Sequence, residues 1–155
     1  MKILAIDPAT TTGWAYSNGA CGTWDLKIRS DESSGMRLLR FEAKIKEIQE
    51  GLGIDVIVFE AVTAGGGPKA NFNAIKLQTK LQAIIERFCE ETKGVECMSY
   101  NLSTIKKHAI PQKGKRRAKE DMVAAAKAKW PDKTIETDDV ADALWLLNLA
   151  QEELG

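Results

Sequence analysis

Along the chain the apolar positions alternate between the short period of strands and the longer period of helices. Ile3, Leu4 and Ile6 form a β-branched-rich run that predicts a strand, and Pro8 and Gly13 bracket a tight connection into a second strand over residues 14–17. Residues 20–26, with Gly19 and Gly22 about the turn, predict a third, so the chain opens as an antiparallel meander. Residues 27–34 are polar, and Ser33 or Ser34 can cap the next element. Leu38, Phe41, Ile45, Ile48 and Leu52 recur at intervals of three and four, which predicts an amphipathic helix over 35–52 ended by Gly51 and Gly53. Residues 55–60 are a nearly continuous apolar run, the pattern of a buried parallel strand, closed by Glu60.

The Gly-rich stretch 63–70 carries too little side chain to pack and predicts a mobile loop. A second long helix is predicted over 71–92, with Leu77, Leu81, Ile84 and Phe88 on one stripe and Ile75 and Ile85 widening it. A short strand over 95–98 comes next, then a short helix within 99–110 carrying Lys106 and Lys107, broken by Pro111 and Gly114. Residues 115–130 have helical composition, with Ala118, Met122, Ala125, Ala126 and Trp130 facing inward, and Thr137 is placed to cap a last helix through Leu154 packed by Leu144, Leu147 and Leu149. A three-strand meander followed by parallel strands joined through helices makes a mixed five-stranded sheet covered on both faces. The expected class is α/β of the ribonuclease H kind, as one domain over residues 1–155.

Composition sets bounds on this picture. A chain of 155 residues, 44% hydrophobic and 28% charged, has enough material for one ordinary globular core. Cys21, Cys89 and Cys97 are an odd set without metal-ligand spacing, which points to a reducing compartment. No apolar run has the length of a membrane span or a signal segment, so the expectation is a soluble, cytoplasmic protein, in the host cytoplasm if phage-encoded. Net charge is zero, with 22 basic and 22 acidic residues, yet the basic ones are unevenly spread. Between Thr104 and Lys119 stand Lys106, Lys107, Lys113, Lys115, Arg116, Arg117 and Lys119 with no acid among them. This is either a solvated loop or a grip for a polyanion.

The acids converge in the predicted fold. Asp7 and Glu60 each end a central strand, and neighbouring parallel strands end on the same edge of a sheet, where α/β folds place their ligands. Asp139 and Asp142, three residues apart near the start of the last helix, share a helical face, and Asp138 points about 100° away as a neighbour. Three of the acids also have a structural reading: Asp7 could accept the Thr10 to Thr12 amides in an Asx-type turn, and Asp139 and Asp142 suit a helix macrodipole. Glu60 gains nothing from strand propensity. Brought together, the four would repel unless protonated or occupied by a cation, and an all-oxygen set favours Mg²⁺ or Mn²⁺. Two such ions are a known route to phosphodiester hydrolysis.

With these residues in view the chain resembles the RuvC-type Holliday junction resolvases, and its compactness and Thr-rich first turn are similar to phage or viral members. The likeness rests on four segments in order: Ile3 to Pro8 with Gly13; Val56 to Glu60; Ile105 to Lys107 with Ala118 to Met122; and Asp139 to Leu144. The resemblance implies a homodimeric endonuclease that cuts two strands of a four-way DNA junction, using two Mg²⁺ per active site, with Mn²⁺ able to substitute. It assigns Asp7, Glu60, Asp139 and Asp142 as metal ligands, Lys119 as a lysine at the scissile region and Lys106 as a backbone contact. The 71–92 helix would be the dimer helix. Lys107, Lys113, Lys115, Arg116 and Arg117 extend the DNA-binding segment. Ala9 stands where the family usually has Gly, and the turn from Asp7 to Gly13 is one residue shorter than in the bacterial form. Thr63 stands where that form has an aromatic wedge three residues after its catalytic Glu; Phe72 is the candidate in its place.

Other classes compete. The same fold supports nucleases acting on branched DNA more broadly. Asp7 with Thr10 to Gly13 also resembles the first phosphate loop of actin and sugar-kinase ATPases, but those clamp nucleotide between two domains and carry a second glycine-rich turn that this chain lacks. A junction-binding protein without chemistry is the third alternative, and the presence of all four acids argues against it. The expected products of the two-metal reaction are 5′-phosphate and 3′-hydroxyl ends.

Overall fold

Strand β1 (Ile3–Asp7) is buried along its whole length and forms the middle of a five-stranded sheet in the order β3-β2-β1-β4-β5. The computed structural model describes residues 1–62 and 71–155. β2 (Thr11–Tyr16) and β3 (Cys21–Asp25) pair antiparallel on one side, β4 (Val56–Glu60) and β5 (Glu96–Tyr100) parallel on the other. Helices α1 (Gly35–Gly51) and α2 (Phe72–Glu91) cover one face, and α3 (Leu102–Ala109), α4 (Lys119–Lys129) and α5 (Asp138–Leu154) the other. This is the mixed α/β sheet expected from the pattern. The Gly-rich stretch and the Thr63 position lie outside the described residues.

Side-chain alternation along the strands divides the core in two. Leu4, Ile6, Ile57 and Phe59 pack with Phe41 and Ile45 of α1 and Leu81 and Ile85 of α2. Ile3, Ala5, Ala15, Val56 and Val58 pack under α5, which buries Val140, Leu144, Trp145 and Leu147 among others. Each large apolar side chain so buried contributes about 1.5–3 kcal/mol relative to exposure. Ala5 and Ala15 are small, which lets the α5 backbone come close to the central strands. By the same parity Asp7, Gly13 and Glu60 face α5.

Several boundaries differ from the sequence expectation for local reasons. β2 begins at Thr11, not Trp14, because the Thr12 hydroxyl closes the turn itself: it donates to the Ala9 carbonyl at 2.7 Å and accepts from the Ala9 amide at 3.2 Å. Gly13 therefore sits inside a strand, paired with Asp7 and Thr23, and does not bracket a turn. β5 ends two residues later than the expected 95–98 strand, on Tyr100, whose hydroxyl donates to Glu153. α4 starts at Lys119, so residues 115–118 are not helical: the Arg117 guanidinium donates to the carbonyl of Ile110, and the Asp121 carboxylate accepts from the Ala118 amide. The last helix has its expected bounds, with the Thr137 hydroxyl accepting from the Val140 amide. Among the described residues no helix is long and apolar enough to cross a membrane.

Candidate functional site

The C-terminal edge of β1 and β4 opens into a cavity of about 240 Å³ lined by Asp7, Glu60, Asp139 and Asp142. The residues arrive by three routes. Asp7 and Glu60 extend a parallel register in which Ile6 is opposite Phe59, so the two strands end side by side. Asp139 and Asp142 come from the first turns of α5, and Gly13 is what lets that helix end settle there. A Cβ at Gly13 would overlap the Asp139 carbonyl, so the close approach requires glycine for space and not for a turn.

The Asx-turn reading of Asp7 is replaced by a different arrangement, since the Thr12 hydroxyl takes the turn's hydrogen bonds. Asp7 is only 7% exposed and faces acids. Burial first, then the charges of Glu60 and Asp142, push its carboxyl well above the usual range. Burial likewise raises Glu60, against a side-chain hydrogen bond with Asp7 and the opposing charge of Lys106. Asp142 is pushed up to about 7 by burial, then by Glu60, Asp138 and Asp139. Asp139 is raised by burial and by Asp138, with Lys119 opposing. Two lysines thus fail to balance the acids, and the deficit is one a divalent cation would fill.

Among the described residues no three His, Cys, Asp or Glu side chains are drawn tightly enough together to form a finished ligand cage. The carboxylates share one cavity rather than one point, and their oxygen-only chemistry fits a hard cation such as Mg²⁺ or Mn²⁺.

Of the basic residues singled out in the sequence, Lys106 of α3 and Lys119 of α4 line the same cavity. Lys107 is exposed on α3, and Lys113 and Lys115 are exposed in the α3–α4 connection. Arg116 is paired with Asp121 at 2.9 Å and with Glu120 at 3.7 Å, and Arg117 is half-buried against the Ile110 and Gln112 carbonyls. These two arginines shape the connection before they can serve a ligand. Phe72, the first residue of α2, is 66% exposed, with the Lys76 ammonium 4.8 Å from its ring centre.

Three lining residues carry no clear mark in the sequence. Asp138, a neighbour by its helical angle, lines the cavity and pairs with Lys119 at 3.6 Å. Its position in the first turn of α5 is the one available signal. Gln78 of α2 and Leu102 of α3 also reach the cavity, and nothing in their local sequence marks them. Ala9, where glycine is usual in the resembled family, lines the cavity too, and among the described residues no non-glycine residue has positive φ. The turn accommodates the alanine without backbone strain.

No family model and no curated relative matches the sequence. Solved structures do match. Thermus thermophilus RuvC in complex with a Holliday junction substrate superposes with a TM-score of 0.71 at 19% identity, over 94% of this chain and 90% of that one. Another T. thermophilus RuvC structure gives 0.66 at 16% identity over the same shares. The yeast mitochondrial Holliday junction resolvase Ydc2 gives 0.59 at 12% identity, over 93% of this chain and 75% of that one. Mixed sheet, helix placement and order of elements together give this chain the RuvC-type, ribonuclease H-like fold.

Proposed function

We propose that the chain is a divalent-metal-dependent DNA endonuclease that resolves four-way junctions, cutting a phosphodiester to leave 5′-phosphate and 3′-hydroxyl ends. The observation that carries this reading is the single cavity in which Asp7, Glu60, Asp139 and Asp142 meet Lys106 and Lys119. The fold shared with junction resolvases supports the choice of substrate class. Asp7, Glu60, Asp139 and Asp142 would hold two Mg²⁺ or Mn²⁺ ions. When bound, such ions supply Lewis-acid stabilisation of a phosphoryl oxygen and a lower pKa for bound water.

The chain's own groups divide the remaining work. Asp7, on the central strand, is the most buried of the four. Glu60 from β4 and Asp139 and Asp142 from α5 would complete the ligand set. Lys106 and Lys119 flank the acids and would hold backbone phosphate oxygens, as point charges that position without reading sequence. Lys119 pairs with Asp138 at 3.6 Å, a contact that phosphate would compete for. The Thr run does not act as an ATPase phosphate loop in this reading: Thr11 and Thr12 are strand residues, and the Thr12 hydroxyl is committed to Ala9.

A four-way junction has two-fold symmetry, and a homodimer matches it. The outward side of α2, with exposed Ala83 and half-buried Ile75, is the candidate contact. Light scattering tests this part separately from the chemistry, the expected mass being twice 17.1 kDa. The function is tested by incubating labelled four-way junction, Y-fork, flap and linear duplex with the protein in Mg²⁺. Paired, symmetric cuts in the junction with ligatable 5′-phosphate ends are expected. Cutting of every branched form would move the assignment to a broader branched-DNA nuclease, and binding without cutting to a junction-binding protein.

A further inference from the structure

A second cationic site lies on the opposite flank of the catalytic cavity from α3 and α4. Arg37 of α1 and Lys76 and Lys80 of α2 line one cleft of about 340 Å³, together with Ser34, Leu38 and Asn73. Among the described residues no carboxylate contributes to its walls. None of the three cations is in an ion pair with a described residue. Arg37 is oriented through its Nε, which donates to the Leu26 carbonyl at 3.0 Å and leaves the terminal nitrogens for a ligand. Lys76 and Lys80 stand one helical turn apart, an arrangement of like charges that mildly destabilises the helix. The N-terminal end of α1 at Ser34 adds its positive pole to the same space.

Shared lining residues set the cleft beside the catalytic cavity. Leu77 lines both the cleft and a ledge formed by Ala9, Thr10 and Thr11, while Gln78 and Asp139 line both that ledge and the cavity of the four acids. A backbone lying over the acids would meet Lys106 and Lys119 on one side and, across the ledge, Arg37, Lys76 and Lys80 on the other. We infer that Arg37, Lys76 and Lys80 form a second phosphate-binding subsite that takes the nucleic-acid backbone where it leaves the catalytic cavity over the Thr10–Thr11 ledge. This rests on the nuclease reading and extends it by assigning a path to the strand. Charges separated from the acids by this ledge hold the polyanion without neutralising the metal ligands.

The test is a salt titration of binding to a fluorescent four-way DNA junction in Ca²⁺, comparing wild type with Lys76→Gln/Lys80→Gln. A control variant, Lys2→Gln/Lys93→Gln, removes the same net charge at the other end of the parallel strands. The cleft variant is expected to reduce the slope of log K against log salt by about 1.8, at roughly 0.9 for each phosphate no longer neutralised, and the control to leave it unchanged. In the wild type, junction should also protect Lys76 and Lys80 from amine labelling, a readout independent of any variant's folding. If the wild type binds no DNA, the nuclease reading itself fails. If it binds while the cleft variant keeps the wild-type slope and both lysines stay labelled, the subsite alone is overturned, and its charge is left for an acidic protein surface.

Discussion

Asp7 shows how one residue acquires its chemistry from its neighbours. A carboxylate at the end of an apolar strand is ambiguous alone; facing Glu60, Asp139 and Asp142 it becomes part of an acid cluster whose protons are held too tightly. The linkage has a sign. Carboxyls raised in the fold relative to the unfolded chain contribute stability that is fully present below about pH 4 and is lost as pH rises through their folded values, which reach about 7 at Asp142. The cation-free protein should therefore lose melting temperature between about pH 4 and 7.5, and Mg²⁺ should restore more of it at about pH 7.5 than at about pH 5. Calorimetry with Asp142→Asn checks the assignment: this variant should have a flatter pH profile and a smaller Mg²⁺ response. An equal Mg²⁺ shift in variant and wild type would separate the cluster from the ion. Gly13 gives a second residue-level test. Gly13→Ala would drive a methyl group into the Asp139 carbonyl, displacing the start of α5. Cleavage should fall about tenfold or more, about 1.4 kcal/mol in barrier, while far-ultraviolet dichroism stays near wild type.

At the scale of elements, α5 does most to build the site, because one helix both fills the core above β1 and β2 and delivers Asp139 and Asp142 to the strand ends. Its bounds are legible in the sequence: Thr137 is a strong cap signal and the Leu-rich face repeats cleanly. The strands are legible for the same kind of reason, as is the pairing of Asp7 with Glu60 at one edge. What the sequence hides is tertiary placement and side-chain bonding to the backbone. Gly13 has the look of a turn residue because its clash partner, Asp139, is far away along the chain. The start of α4 is hidden because Arg117 and Asp121 divert the chain with side-chain bonds that composition does not reveal. Gln78 reaches the cavity only once α2 is laid across the sheet. Those placements also sort the basic segment: Lys106→Gln should lower the salt slope of junction binding by about 0.9. Arg117→Ala should act mainly on stability, costing about 1 kcal/mol for each carbonyl hydrogen bond removed. Denaturant unfolding beside the binding titration distinguishes the two effects.

Over the whole molecule, zero net charge conceals an arrangement of parts. The acids occupy one cavity at the sheet edge, with Lys106 and Lys119 at its rim and Arg37, Lys76 and Lys80 beyond the ledge. A phosphate backbone could be held on both sides of the acids while the space between them stays available to cations. The central claim is that this cavity hydrolyses junction DNA through its carboxylates, and Asp7→Asn tests it most directly because the change keeps shape and removes charge at the most buried acid of the cluster. Wild type and variant should bind a labelled four-way junction alike in Ca²⁺. In Mg²⁺ the wild type should cut it in paired, symmetric positions and the variant should be slower by a factor of about 100 or more, about 2.7 kcal/mol in barrier. Cleavage by Asp7→Asn at the wild-type rate would contradict the account.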